Sequence, residues 1–69
     1  MEFEKHLLIT GSSNTSWKDA ITKTIAEASK TIDFISSVKI INQYAKIEND
    51  KIAKYLVDLD LGFTLDLDR

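Results

Sequence analysis

From Trp17 onward the apolar and small residues fall at Trp17, Ala20, Ile21, Thr24, Ile25, Ala28 and Ile32. That i, i+3, i+4 spacing makes one buried stripe and predicts an amphipathic helix of about seventeen residues. Lys18, Lys23, Glu27 and Lys30 take the opposite, solvated side. Ser16 is placed to cap the helix, and Asp19 three residues on resembles a capping box with a shorter acid than usual. Ahead of the helix, residues 3–10 read as a strand, and the stretch 11–16, Gly-Ser-Ser-Asn-Thr-Ser, reads as the break between the two.

Two long β-rich runs follow, 34–48 and 51–65, separated by Asn49-Asp50. Both residues tolerate the left-handed backbone of a two-residue hairpin turn, so the predicted order is β-α-β-β. Such a turn sets Glu48 against Lys51, Tyr44 against Tyr55, Ile40 against Leu59, Val38 against Leu61 and Phe34 against Leu65 on one largely apolar face. The other face then carries Ser37 opposite Gly62, Lys39 opposite Asp60, Ile41 opposite Asp58 and Gln43 opposite Leu56. Lys39 and Asp60 are expected to form a cross-strand ion pair. A single helix covers a single face, so Ile35, Ile41 and Leu56 on the second require a partner subunit or a ligand. The expected class is α+β, a three-stranded antiparallel sheet curved around one helix.

Length adds a constraint. Fifteen extended residues at roughly 3.3 Å each span about 50 Å, whereas a compact chain of this size has a radius of gyration of about 11 Å. The strands must curl or protrude. The 69 residues, 43% of them hydrophobic, make a single domain over 1–69, too small to bury a thick core. There is no cysteine for a disulfide, and one histidine cannot make a zinc site, which leaves oligomerisation as the common staple.

Nine basic residues against eleven acidic ones give a net charge of −2 with the signs interspersed, which argues against DNA or RNA as a partner. Glu2, Glu4, Lys5 and His6 do not fit a signal peptide, and no apolar run has the length of a membrane span. The expected location is the cytoplasm.

Residues able to carry chemistry are few. His6 has no evident catalytic or metal-ligating company, and it reads as a strand residue beside Lys5 and Leu7. Ser12, Ser13 and Ser16 suit turn and cap duty, and no serine has a base beside it in the chain. Asp58, Asp60, Asp66 and Asp68 alternate along one side of a strand, an acidic edge rather than a calcium loop, which needs a tight turn and a closing bidentate ligand. Gly11 precedes a helix start without the lysine of a phosphate loop. Trp17, Tyr44 and Tyr55 are read as core aromatics. No catalytic constellation and no metal site are expected, so the protein is read as non-enzymatic.

Gly11-Ser12-Ser13 followed by Ser16-Trp17, the run Ala26-Glu27-Ala28-Ser29-Lys30-Thr31, Tyr55, and Gly62-Phe63 with Leu65 together resemble the dodecin family. The resemblance runs without an evident gap over residues 3–65. It implies a hollow homododecamer in which each curved sheet wraps its helix and long strands join the subunits. It also implies a non-enzymatic, flavin-binding protein that stores or sequesters riboflavin or flavin mononucleotide and quenches its photochemistry; some members bind coenzyme A. In the family, paired flavins stack between tryptophans of symmetry-related subunits, and a glutamine hydrogen-bonds the ring edge.

This chain departs at both positions. The tryptophan position is occupied by Ser37 and the glutamine position by Leu56, while Gln43, facing Leu56 in the register above, offers one hydrogen bond in exchange. A lost stacking face costs about 1–3 kcal/mol and a lost hydrogen bond to a polar edge about 1–3 more, together roughly two to four decades of affinity. Ser37, Gln43 and Leu56 are therefore the expected borders of a degraded flavin site. The alternatives are a shell for another ligand such as coenzyme A, and a structural or protein-interaction assembly with no small ligand.

Overall fold

A computed structural model describes residues 2–66. The elements run β1 (Glu2–Ser13), α1 (Trp17–Ala28), β2 (Ile35–Glu48) and β3 (Lys51–Asp66). The three strands form one antiparallel sheet in the order β1-β3-β2. The last strand is thus inserted between the two that flank the helix.

Strand β1 continues past the predicted break, with Gly11 opposite Val57, Ser12 opposite Leu56 and Ser13 opposite Tyr55. Packing explains the extension. Gly11 lies directly under the helix, where a β-carbon would collide with the Thr24 hydroxyl, so the bare backbone lets strand and helix approach. Ser13 is buried and donates its hydroxyl to the Asp19 carboxylate. The cap is as expected on one side, with the Asp19 amide donating to Ser16 Oγ at 2.9 Å. The reciprocal half of the box is replaced by the Asp19 contacts to Ser13 and to Lys23, whose ammonium lies 3.1 Å away.

The helix is shorter than its stripe predicts, ending at Ala28. Beyond it the chain tightens into turns in which Lys30 N donates to Glu27 O and Thr31 N to Ala28 O. Ser29 and Thr31 turn their hydroxyls onto the Ala26 and Ala28 carbonyls, the competition with backbone pairing that makes these residues poor helix formers. Ile32 still packs against the core. That core is Ala20 and Ala28 of the helix against Val57, Leu59 and Leu61 of β3, with Ile9, Trp17, Ile21, Ile25 and Ile35 around it. The Trp17 ring meets Tyr55 edge-on, centroids 4.8 Å apart, and its Nε1–H donates to the Tyr44 carbonyl at 2.8 Å.

The hairpin turn is as predicted, Asn49 and Asp50 both taking positive φ, 51° and 63°. The register from it needs correction. Pairing is as expected at Glu48–Lys51, Ile40–Leu59, Lys39–Asp60, Val38–Leu61 and Ser37–Gly62, but shifts intervene between Lys46 and Ile47, Ile40 and Asn42, and Ile35 and Ser37. Between the first two, every residue of β2 changes face. Tyr44 is opposite Leu56 rather than Tyr55, Gln43 opposite Val57 rather than Leu56, and Asn42 replaces Ile41 opposite Asp58. Phe34 does not pair with Leu65; it sits before the strand with φ 61°, its carbonyl accepting from Thr64 N. A β-bulge has this effect because one extra residue inverts the period-two alternation beyond it.

Candidate functional site on the open sheet face

The helix packs on β1 and β3, which leaves the sheet face turned away from it open and leaves β2 exposed nearly throughout. Alternation along the paired strands sets out the open face in rows. From the hairpin end these are Lys46–Lys54, then Tyr44–Leu56–Ser12, Asn42–Asp58–Thr10, Lys39–Asp60–Leu8 and Ser37–Gly62–His6.

Asp58 is the polar hub of this face. Thr10 Oγ1 donates to one carboxylate oxygen at 2.8 Å and Asn42 Nδ2 to the other at 3.2 Å, while the Tyr44 hydroxyl reaches the first at 3.5 Å. Donors from both neighbouring strands thus converge on one acceptor of the central strand. Leu8, at 73% exposure, and Ile41 flank the hub and with Thr10 line a shallow cleft of about 290 Å³.

At the far end, His6 is less isolated than its sequence context suggests. Its Nδ1 lies 3.1 Å from Asp60 and its Nε2 3.0 Å from Glu4. The imidazole ring stands between the two carboxylates, and among the described residues no group of three acidic or histidine side chains is arranged to hold a metal ion. Asp60 is thereby engaged by His6, not by the Lys39 expected to pair with it. Asp68 lies outside the described residues.

Ser37 sits over Gly62, where a β-carbon on the glycine would meet the Ser37 hydroxyl, with Glu4 and His6 close by. Leu56 is on the same face but six residues along β3, about 20 Å away at strand rise. It is only 9% exposed although no helix covers it, because Tyr44 and Ser12 flank it on either side. Gln43 is on the helix-facing row, opposite Val57. The residue sequence reasoning missed is Tyr44, an aromatic 42% exposed on the open face where none was anticipated. Its signal was the adjacent pair Ile40-Ile41, two like residues where alternation demands one of each kind.

The chain matches the family model described as Dodecin over residues 4–66. No curated protein matches it. Among solved structures it is similar to the dodecin of Streptomyces davaonensis, 25% identical, covering 94% of this chain and 96% of that one with a TM-score of 0.89. The dodecin of Streptomyces coelicolor is 23% identical, with 94% and 93% covered and a TM-score of 0.90. A calcium-chelating immunodominant antigen of Mycobacterium tuberculosis, a calcium dodecin with a novel calcium-binding site, is 24% identical, with 97% and 96% covered and a TM-score of 0.81. With the family pattern spanning nearly all of the described residues, and the same helix cradled by the same three strands, the chain belongs to the dodecin family.

Proposed function

We propose that this protein is a non-catalytic, self-assembling cytoplasmic shell, a homododecamer, that binds and holds a small molecule of flavin type through a site altered at Ser37 and Leu56. Dodecins are small ligand-binding proteins, and no helix among the described residues is long and apolar enough to cross a membrane. The observation that carries the reading is β2: Val38 and Ile40 are on its helix-facing side, yet the helix does not reach them and both are exposed. Another copy of the chain supplies the missing cover. Ser37 and Leu56, about 20 Å apart in one protomer, border one ligand only when contributed by different copies. Gln43 joins them only across such an interface.

Light scattering tests the assembly, with about 94 kDa expected for twelve 7.8 kDa chains. Titration with riboflavin and flavin mononucleotide tests the ligand. The double substitution Ser37→Trp with Leu56→Gln should strengthen flavin binding by roughly two to four decades over the natural sequence. No gain would place the ligand elsewhere.

A second reading, a structural assembly without a small ligand or a shell for coenzyme A, is favoured by the polar surroundings of Ser37, where Glu4 and His6 crowd the position. A ligand at 100 times its dissociation constant adds about 2.7 kcal/mol of stability. Thermal unfolding that responds to neither flavin nor coenzyme A would select the purely structural form.

A further inference from the structure

The open face is charged unevenly along its length. At the hairpin end Lys46 lies directly opposite Lys54, and like charges so placed destabilise an antiparallel pair. Both lysines are exposed, and among the described residues neither forms an ion pair, whereas Lys23 and Lys30 of the helix each have a carboxylate within 3.1 Å. The tip beyond adds Lys51 against Glu48 and Asp50, so this end is positive on balance. The other end is the reverse. Glu4, Asp58 and Asp60 share it with Lys39 and with the His6 imidazole that stands between Glu4 and Asp60. Three carboxylates against one ammonium and one imidazole leave it negative in either charge state of the ring.

The two ends cannot balance each other within one chain. Lys54 and Asp60 are six residues apart on β3, about 20 Å at strand rise, and exposed charges are screened over about 8 Å at physiological ionic strength. Their compensation falls to another molecule. Its nature follows from the ground between the ends. Leu8, Ile41 and Tyr44 are exposed there, so the face has an apolar middle with a basic margin on one side and an acidic margin on the other. An apolar centre within a charged rim is the anatomy of a protein contact. A second copy of the chain, reversed end for end, matches it throughout: base meets acid at both margins, apolar meets apolar between them, and the surface is complementary to itself.

We propose that two copies meet through this face, laid against each other and reversed end for end, with Lys46 and Lys54 of each set against Glu4 and Asp60 of the other. The inference rests on the self-assembly proposed above. It adds a contact distinct from the one at Val38 and Ile40, which lie on the helix-facing side of β2.

Exchange of charge tests it, read by light scattering on the full-length protein. Lys46→Glu/Lys54→Glu sets acid against acid, and Glu4→Lys/Asp60→Lys sets base against base, so each variant alone should fall to half of the parent's mass or less. Mixed in equal amounts, the two should regain the parent's mass, because every margin again meets its opposite. A chain carrying all four substitutions should hold that mass by itself. Mixing changes neither chain's sequence, so recovery of mass reports the contact and not a repaired fold. Variants that keep the parent's mass overturn the proposal, and so does recovery in neither the mixture nor the four-substitution chain. A parent that is itself a single chain in solution overturns the self-assembly as well, which separates failure of this contact from failure of the assembly.

Discussion

The Ser13 hydroxyl, and after it the Lys23 ammonium, hold the Asp19 carboxyl below its ordinary value by hydrogen bonding its charged form. A carboxyl lowered in the folded chain contributes stability that is fully present above the usual aspartate pKa of about 3.9 and is lost as pH falls through the lowered folded value. Ser13→Ala removes the leading cause. Its stability deficit should be largest near neutral pH and shrink below about pH 4, where the parent has lost the same contribution. Parallel denaturation series across that range check this; a deficit independent of pH would mean that Ser13 acts through packing alone. Gly11 makes a second single-residue prediction. Its φ is not positive, so the demand for glycine is spatial: a β-carbon there meets the Thr24 side chain and approaches the Ala20 carbonyl. Gly11→Ala should destabilise by about 1–3 kcal/mol, the usual cost of overpacking. Adding Thr24→Ala, which removes the Thr24 hydroxyl that lies nearest, should recover much of that loss in urea unfolding.

At the level of elements, what was legible in the chain was whatever repeats with a fixed period. The helix stripe, the central strand and the left-handed turn at Asn49-Asp50 all follow from spacing and turn chemistry. What escaped was the change of phase. The shifts at Ser36 and Ile41 on β2, and at Ala53 on β3, each invert which side chains face the helix, and a two-residue turn fixes register only as far as the first of them. Tyr44 and Gln43 exchanged faces for that reason, while Ser37, beyond a compensating pair of shifts, kept its expected partner Gly62. The candidate site was therefore legible at its Ser37 end and unreadable at its Tyr44 end. The turn itself gives a prediction. Asp50 holds φ 63° with a side chain that disfavours it, and glycine does not pay that penalty. Asp50→Gly should raise stability by up to about 1 kcal/mol, read from the denaturation midpoint, and a loss would mean that the Asp50 carboxylate serves a contact between copies.

Over the described residues the molecule is 54 × 19 × 13 Å with a radius of gyration of 14.4 Å, where about 11 Å suits a compact chain of this length. Its accessible surface of 5119 Å² exceeds the roughly 4,400 Å² expected of a globule of this mass. Exposed apolar residues contribute to the excess, along β2 and at the hairpin tip, including Ile47 at 61% exposure, and on β1, where Leu8 is 73% exposed. In the assembly proposed above, other copies cover the apolar residues that one chain leaves exposed. Ile40 is the position at which to break that contact, because it is opposite the fully buried Leu59 yet is itself uncovered in the single chain. Ile40→Lys leaves the isolated fold's buried residues in place but would force an ammonium into the proposed contact between copies, at a desolvation cost of several kcal/mol per subunit. On the proposed dodecameric assembly, light scattering should show the mass fall from about 94 kDa toward the 7.8 kDa of one chain, while Thr22→Lys on the exposed side of the helix should leave it unchanged. An Ile40→Lys protein that kept the parent's mass would place the contact on another face, with the open face around Leu8 and Ile41 the next apolar surface to substitute.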